Sequence, residues 1–283
     1  MKKIIFILFS LISVCAPAAT LPVHCDNDIR RVEEILGSLR DSNLPLGDRM
    51  VLAAKSLIGA GNDDYYLTDS VGSLRINLDS FTPIMFINNV VALARASQAP
   101  GTPDVGTFVK ELENIACRRG ENTGFTSIMY HSSDWIGDNL SRGNLRELTE
   151  DFEGVVPRTK SLDDMTRNRR NFAALADSTA FETVRMTEMG FRTHRVPSLK
   201  KETIKKKELI ADLQNGDILI LVPSRDGIDY IDMGIIDFEN GVPYLIHISP
   251  QSKTVVRETE DLARYFALIT KHFQGYRLIR IRN

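Results

Sequence analysis

The 283-residue sequence has few groups that could bind a metal or react as a nucleophile. It contains three cysteines, five histidines and one tryptophan, and no Cys-x-x-Cys or His-x-x-x-His spacing. We therefore expect no structural zinc site and no cofactor. Positive and negative side chains nearly balance, with 35 Lys plus Arg against 37 Asp plus Glu. Neither nucleic acid nor an anionic membrane surface is an expected partner.

One long apolar run is present, and it lies at the N terminus. Two lysines precede the run Ile4–Val14, and the small-x-small sequence Ala16-Pro17-Ala18 follows it. This pattern is typical of a secretory signal peptide over residues 1–18. The run is too short to cross a bilayer, which needs about 20 apolar residues. We expect residues 19–283 to form a single exported domain, periplasmic or secreted, with no transmembrane segment.

The three cysteines leave two questions open. Lipidation of Cys15 is an alternative to signal cleavage, but the bulky Val14 stands where a small residue is expected. Cys25 and Cys117 could form a disulfide in an oxidising compartment. Alternatively, one is a semi-exposed thiol and the other a small buried hydrophobic residue.

Apolar spacing predicts helices in the first half of the chain. The predicted helices are 26–40, 49–58 with Asp48 as N-cap, 84–97 and 104–115. The third is apolar on nearly every side, which indicates a buried central helix. Thr82 suits its N-cap, and Pro83 suits its first position because the missing N–H costs nothing there.

The spacing of apolar residues changes in the last third of the chain. Short β-branched runs predict strands at 217–222, 232–237, 244–249 and 276–281, with a helix at 261–271. Residues 120–160 are polar and broken by glycines, and are predicted to be irregular. Helical or mixed patterns return at 162–175 and 200–213, where lysines interleaved with glutamates indicate a solvated face. Helices followed by an antiparallel sheet predict an α+β fold.

Several motifs together resemble one known family. Leu78–Asn88 lies where the N-acetylmuramoyl-L-alanine amidase-like family carries Leu-Asp-x-Phe-Asp-Cys-x-Thr-Phe-x-Glu. Ser133-Asp134-Trp135-Ile136 resembles its Ser-Asp-Trp-Ile block, and Asn139 and Arg142 follow it. Asp232-Met233-Gly234 stands at its His-x-Gly motif, and Leu245–Ser249 at its Leu-x-His-Ala-Ser strand. The resemblance implies a papain-like, NlpC-type fold and a ligand from the cell wall.

The departures from this family pattern fall on its site positions. The nucleophilic cysteine corresponds to Pro83, and the catalytic histidine corresponds to Asp232. Thr82, Met85 and Asn88 replace an acid, a threonine and a glutamate. Ile128 and Tyr130 replace an arginine and a histidine. The resemblance therefore implies a degenerate site that retains the scaffold.

Few other residues could replace the nucleophile and the base of the family pattern. Cys117 follows an amphipathic helix and is a poor nucleophile candidate. A pair of Thr82 with Asp232 needs a hydroxyl activated by a nearby base. His247 is either a leftover orienting residue or a sheet histidine with a satisfied hydrogen bond. His131 is a possible ligand contact, whereas His24, His194 and His272 belong to no constellation.

The block from Ser133 to Arg142 has two interpretations. Trp135, beside Asp134 and Arg142, could stack on a sugar or peptide while the charged groups fix its orientation. Alternatively, Trp135 closes the core while Asp134, Asn139 and Arg142 pair with nearby groups. Both interpretations stay open at the level of the sequence.

The expected function is that of a secreted, catalytically inactive amidase homologue that binds cell-wall muropeptides or a partner protein. The expected groove residues are Thr82, Pro83, Tyr130, Ser133, Asp134, Trp135, Asn139, Arg142, Asp232 and His247. The alternative is an active hydrolase that cleaves the N-acetylmuramoyl-L-alanine amide with a nucleophile at another position. A third possibility is a regulator of a second hydrolase.

Overall fold

The computed structural model describes residues 24–40, 43–63, 74–269 and 273–283. The predicted signal peptide, Cys15 and His272 lie outside the described residues. The helices in these ranges are α1 (Asp26–Arg40), α2 (Leu46–Ser56), α3 (Pro83–Ala96), α4 (Val105–Ala116), α5 (Ser132–Ser141), α6 (Asp164–Arg167), α7 (Ser178–Met189), α8 (Lys207–Asp212) and α9 (Leu262–Leu268). The strands are β1 (Gly61–Asn62), β2 (Ser80–Phe81), β3 (Leu145–Glu147), β4 (Arg158–Lys160), β5 (His194–Val196), β6 (Ile218–Pro223), β7 (Asp232–Glu239), β8 (Val242–Ile248), β9 (Val255–Arg257) and β10 (Phe273–Ile281).

Six strands form one antiparallel sheet in the order β3-β10-β6-β7-β8-β9. Asn240 and Gly241 connect β7 to β8, and both have positive φ angles, 52° and 80°. A two-residue hairpin turn of this kind favours Asn-Gly because both residues tolerate the left-handed region. The α+β fold with an antiparallel sheet is confirmed.

The sheet is covered on both faces because its central strands are apolar on both sides. Ile218 and Ile220 of β6 join the larger core, which they share with α1, α2, α3 and α4. Leu219 and Leu221 of the same strand join a second core with α8 and α9. Successive side chains of a strand point to opposite faces, so one strand supports both layers.

Helix α3 lies at the centre of the larger core, as its sequence predicts. Twelve of its fourteen residues are buried. Thr82 is its N-cap, with Oγ1 accepting a hydrogen bond from the Met85 N–H at 3.4 Å, and Pro83 is its first residue. The sequence prediction of this helix start is confirmed.

The predicted start of the second helix is wrong by three residues. Helix α2 begins at Leu46, after Pro45, and no side chain caps it. Asp48 instead lies inside the first turn, where its Oδ1 accepts a hydrogen bond from Asn215 Nδ2 at 2.6 Å. The carboxylate therefore joins two distant segments, a role that local spacing does not reveal.

The prediction that residues 120–160 are irregular is wrong for α5. Its first two free N–H groups, at Ser132 and Ser133, donate to the buried carboxylate of Asp229, at 3.0 and 2.5 Å. That cap comes from nearly a hundred residues further along the chain. Helix α7 was also not predicted, and it lies within the long segment between β3 and β6.

The two cysteines in the described ranges are free. Cys25 is exposed and Cys117 is buried, so the disulfide alternative is wrong and the alternative of two separate thiols is confirmed. Among the described helices, none is long and apolar enough to cross a membrane.

Candidate functional site

The N-terminus of α3 opens on a cleft of about 300 Å³, which we call the Tyr130 cleft. Its wall includes Thr82, Pro83, Tyr130, Asp164, Asn171, Phe172, Arg225 and Tyr230. The wall therefore combines three aromatic rings with one cation, one carboxylate and one amide. Sites of this composition suit ligands that have an apolar face and a few polar groups.

Tyr130 is held rigidly in this cleft. Its hydroxyl donates to Asp164 Oδ2 at 2.7 Å, and its ring meets the Phe172 ring edge-on at 5.6 Å. These contacts fix Tyr130 to α6, through Asp164, and to the segment that follows α6, through Phe172. The Arg225 side chain, by contrast, is exposed at the rim.

Pro83 and Thr82 present no reactive group to the cleft. Pro83 has neither a thiol nor an N–H at the position where the helix dipole would stabilise an anion. The Thr82 hydroxyl already accepts the capping hydrogen bond. This helix start can shape a ligand site, but it carries no nucleophile of the cysteine type.

His247 lies between two carboxylates in the interior. Its Nδ1 lies 2.5 Å from Asp232 Oδ2, and its Nε2 lies 2.8 Å from Glu258 Oε1. The side chain has no exposed surface. Burial works against its protonation, but the charges and hydrogen bonds of Asp232 and Glu258 outweigh that effect and raise the pKa of His247 to about 9. At neutral pH both ring nitrogens donate, so the imidazolium has no lone pair with which to act as a base.

Gly234 makes room for this arrangement. It lies directly opposite His247 in the register of β7 and β8. A Cβ at Gly234 would lie 2.9 Å from the Cβ of His247 and 2.7 Å from Leu245. The glycine of the Asp-Met-Gly sequence is therefore required by the close approach of the neighbouring strand.

Asp232 and His247 do not line the Tyr130 cleft. Asp232 lines a neighbouring cavity of about 870 Å³, which we call the Asp232 cavity, together with Glu258 and Tyr265. Arg225 and Ile231 line both spaces and form the border between them. The predicted pair of Thr82 with Asp232 is thus divided between two sites.

Neither described thiol is placed to act as a nucleophile in the Tyr130 cleft. Cys117 is the residue after α4, it is fully buried, and burial raises the pKa of its thiol to about 12. Cys25 lies at the start of α1, where its Sγ is 2.9 Å from Asp28 Oδ2. Neither residue belongs to the wall of the Tyr130 cleft.

The predicted ligand role of Trp135 does not fit its position. The ring has no exposed surface, and its Nε1–H donates to Asn88 Oδ1 at 2.9 Å. Asn139 is also fully buried and donates to the backbone oxygens of Ile115 and Trp135. These side chains close the core around α3, which is the second of the two interpretations given for this block.

The charged and polar neighbours of Trp135 have structural partners as well. Asp134 receives two hydrogen bonds from Arg118, at 2.6 and 2.7 Å. The Ser133 Oγ accepts from Arg277 at 3.1 Å. Arg142 donates to Asp138 at 2.7 Å and to the backbone of Asn114 at 2.6 Å. None of these side chains lines the Tyr130 cleft.

Two further histidines are accounted for by their neighbours. His131 is buried, and its Nε2 lies 2.9 Å from Glu188 Oε1. Burial opposes protonation of His131, but the hydrogen bond and charge of Glu188, with the charge of Asp229, raise its pKa. His194 packs edge-on against the Phe191 ring at 5.2 Å. The His131 Nδ1 has no hydrogen-bond partner among the described residues, but His131 lines neither the Tyr130 cleft nor the Asp232 cavity, so neither supports a ligand contact for it.

The sequence analysis did not identify several residues of the Tyr130 cleft and the Asp232 cavity. Phe172, Tyr230 and Arg225 line the Tyr130 cleft, and Glu258 completes the pairing of His247. Tyr230 stands two residues before Asp232, which is the one local signal that could have identified it. The others come from segments that only the fold brings together. The described residues contain no cluster of side chains arranged to hold a metal ion.

Fold and site together define a class of protein: a helix start faces a cleft beside an antiparallel sheet whose central strands carry an acid and a histidine. The sequence model of the N-acetylmuramoyl-L-alanine amidase-like family matches residues 53–271. The chain belongs to this family.

Solved structures share the fold. An N-acetylmuramoyl-L-alanine amidase from Bacteroides uniformis is 21% identical, with a TM-score of 0.70, and covers 84% of this chain and 99% of its own. A proposed xylanase from Bacteroides fragilis is 24% identical, with a TM-score of 0.70, and covers 81% of this chain and 99% of its own. A Legionella pneumophila protein is 14% identical, with a TM-score of 0.68, and covers 91% of this chain and 95% of its own. A comparison with curated proteins found no significant match.

Proposed function

We propose that this protein is an exported, catalytically inactive member of its family that binds muropeptides in the Tyr130 cleft. The scaffold would be of the papain-like, NlpC type, formed by residues 19–283 as one domain. The observation that carries the proposal is Pro83 at the first position of α3, where an active relative needs a thiol.

The position of the base supports the same conclusion. Asp232 stands where the family pattern has a histidine, and the nearby His247 is buried with both ring nitrogens engaged. A general base must reach the proton that it removes and must have a free lone pair. His247 meets neither requirement.

The composition of the cleft favours binding over a purely structural role. A muropeptide combines sugar rings, which stack on aromatic faces, with carboxylates, which pair with guanidinium groups. Tyr130, Phe172 and Tyr230 supply the faces, and the exposed Arg225 supplies the cation.

Export rests on the N-terminal pattern of the sequence. Cleavage after Ala18 would release a chain that begins at Ala19. Sequencing the N terminus of protein recovered from the periplasm or medium tests this step. A lipid-modified Cys15 at the N terminus would contradict it.

Binding can be measured with N-acetylmuramoyl-L-alanyl-D-isoglutamine by calorimetry. We expect saturable binding that weakens about tenfold or more in Arg225→Ala, because a charge-assisted hydrogen bond is lost. Arg30→Ala removes an exposed guanidinium from α1 and serves as the matched control. Equal affinities in both variants, or no binding at millimolar ligand, would contradict the proposal.

Inactivity is tested by incubating the same protein with N-acetylmuramoyl-L-alanine and measuring free L-alanine. We expect no release above the uncatalysed background. Release at an enzyme-like rate that persists in a variant carrying both Cys25→Ala and Cys117→Ala would support a nucleophile at another position instead.

A further inference from the structure

The Asp232 cavity has a different chemistry from the Tyr130 cleft beside it. Its volume of about 870 Å³ is in the range of small-molecule sites. Aliphatic side chains form much of the wall, including Leu221, Ile231 and Leu268. An occupant therefore needs a hydrocarbon portion that can replace water along these side chains.

Acidic groups are concentrated in this cavity. Asp232, Glu258 and Glu260 line it, and Arg225 lies at the border with the Tyr130 cleft. The imidazolium of His247 lies behind Asp232 and Glu258 and compensates one of their charges. Glu260 is exposed and pairs with Arg264, at 3.9 Å. In the interior, the two carboxylates of Asp232 and Glu258 face only the one imidazolium of His247, so this end of the cavity favours a positively charged occupant.

Asp232 has unsatisfied hydrogen-bonding capacity. The residue is 5% exposed, and its Oδ1 has no hydrogen-bond partner among the described residues. The Tyr265 phenol is the nearest donor: burial, the charges of Asp232 and Glu258 and a weak hydrogen-bond interaction with Asp232 raise its pKa. No contact within normal hydrogen-bond distance and angle reaches Oδ1. A buried carboxylate oxygen without a donor is costly, and it is the kind of feature that a ligand donor would relieve.

We propose that the Asp232 cavity binds an aliphatic primary ammonium group, with the hydrocarbon chain along Ile231 and Leu268 and the ammonium beside Asp232 and Glu258. An ammonium offers three donors and one positive charge, which match the excess of carboxylates. In a muropeptide, the group with this chemistry is the side chain of the diamino acid in the stem peptide. That last assignment rests on the proposed function, whereas the amine site itself does not.

The test compares three compounds of equal chain length on the wild-type protein. n-Pentylammonium, 1-pentanol and pentanoate are titrated while the NMR signals of residues around Asp232 are followed. We expect n-pentylammonium to bind about tenfold or more tightly than 1-pentanol, and pentanoate to give no saturable shift. Equal binding of the amine and the alcohol, or no binding of the amine at about 100 mM, would overturn the proposal.

Two variants locate the site. Asp232→Asn and Glu258→Gln each remove one carboxylate with little change in shape, and each is expected to weaken n-pentylammonium binding about tenfold. Glu239→Gln is the control, because Glu239 lies at the other end of β7 and its side chain is 60% exposed. Amine affinity that is unchanged in Glu258→Gln would overturn the proposal even if Asp232→Asn proved unstable.

The test of the amine site can fail independently of the test of the proposed function. N-acetylmuramoyl-L-alanyl-D-isoglutamine carries no primary ammonium group. A protein that binds this compound but does not prefer n-pentylammonium retains the proposed function and loses this inference. A protein with the reverse behaviour retains the amine site alone.

Discussion

At the scale of single residues, Asp232 and His247 show how an acidic side chain sets the charge of its neighbour. With an acid at 232, the histidine across the strand pair gains a second carboxylate partner in addition to Glu258. The imidazole is therefore held in its charged form inside the protein. His247 is therefore a buried cation that pairs with Asp232 and Glu258 and has no lone pair with which to accept a proton at neutral pH.

This arrangement predicts a loss of stability in alkaline solution. The pKa of His247 is raised from 6.5 to about 9 on folding, so its contribution is complete below about pH 6.5 and is lost as the pH rises through 9. We expect the free energy of unfolding to fall by about 2–3 kcal/mol between about pH 6 and pH 10. Urea unfolding at both pH values measures this change in the free energy of unfolding.

His247→Gln is the control for that experiment. The glutamine variant keeps a hydrogen-bonding side chain but has no group that titrates in this range. Its stability is expected to fall by less over the same interval. Because His131 also has a raised pKa, its contribution remains in both proteins and cancels in the comparison. Identical pH profiles for the two proteins would contradict the assignment.

Trp135 illustrates the opposite case, a residue that resembles a ligand contact and belongs to the core. We expect Trp135→Phe to lower the free energy of unfolding by about 2–4 kcal/mol, because it leaves a cavity and removes the donor to Asn88. Affinity for N-acetylmuramoyl-L-alanyl-D-isoglutamine is expected to stay within about twofold of the wild type. Strong quenching of the tryptophan emission by this ligand would contradict the core assignment.

At the scale of elements, the start of α3 is the part of the molecule that local sequence explains best. Thr82 and Pro83 are suited to the N-cap and first positions for reasons that involve only the adjacent backbone. The start of α5 is the reverse case, because its cap is the distant Asp229. The sequence around Ser132 therefore does not contain the residue that caps this helix.

The cap gives a direct test of the role of Thr82. Thr82→Ala is expected to cost about 1 kcal/mol of stability, whereas Thr82→Ser keeps the hydroxyl and costs less. Neither change is expected to alter the background release of L-alanine. Thermal or urea unfolding gives the first quantity, and the incubation described above gives the second. A loss of measurable hydrolysis in Thr82→Ala would show that the hydroxyl has a catalytic role.

At the scale of the whole molecule, the sheet separates two hydrophobic cores. Cys117 is fully buried in the larger core, whereas Cys25 is exposed at the start of α1. The two thiols can therefore report separately on the surface and on the packing of α3 and α4.

We expect iodoacetamide to modify Cys25 rapidly in the native protein and to leave Cys117 unmodified. Burial excludes the reagent from Cys117, and a pKa of about 12 leaves almost no thiolate at neutral pH. Modification of Cys117 should begin only where urea unfolds the protein. Mass spectrometry of peptides at increasing urea measures both sites. Native-state labelling of Cys117 at the rate of Cys25 would contradict the packing.

Much of the fold was predictable from the sequence because its signals are local. The apolar run of α3, its cap, the β-branched central strands and the Asn-Gly turn each depend on neighbouring residues. The site was predictable in part. Motif resemblance selected Pro83 and Asp232, each of which lines one cavity, and His247, which lines neither. The burial of Trp135 and the pairing of Glu258 with His247 depend on segments that are distant in the chain.

The sequence by itself determined that the first position of α3 carries a proline and that β7 begins with an acid, since composition and order are sufficient to state both. Only the tertiary structure decided what surrounds them. Burial, charge pairing and cavity shape arise when distant segments pack against one another, and no local pattern specifies such contacts. That is why His247 is a buried cation between two acids, and why Asp232 lines a cavity separate from the Tyr130 cleft.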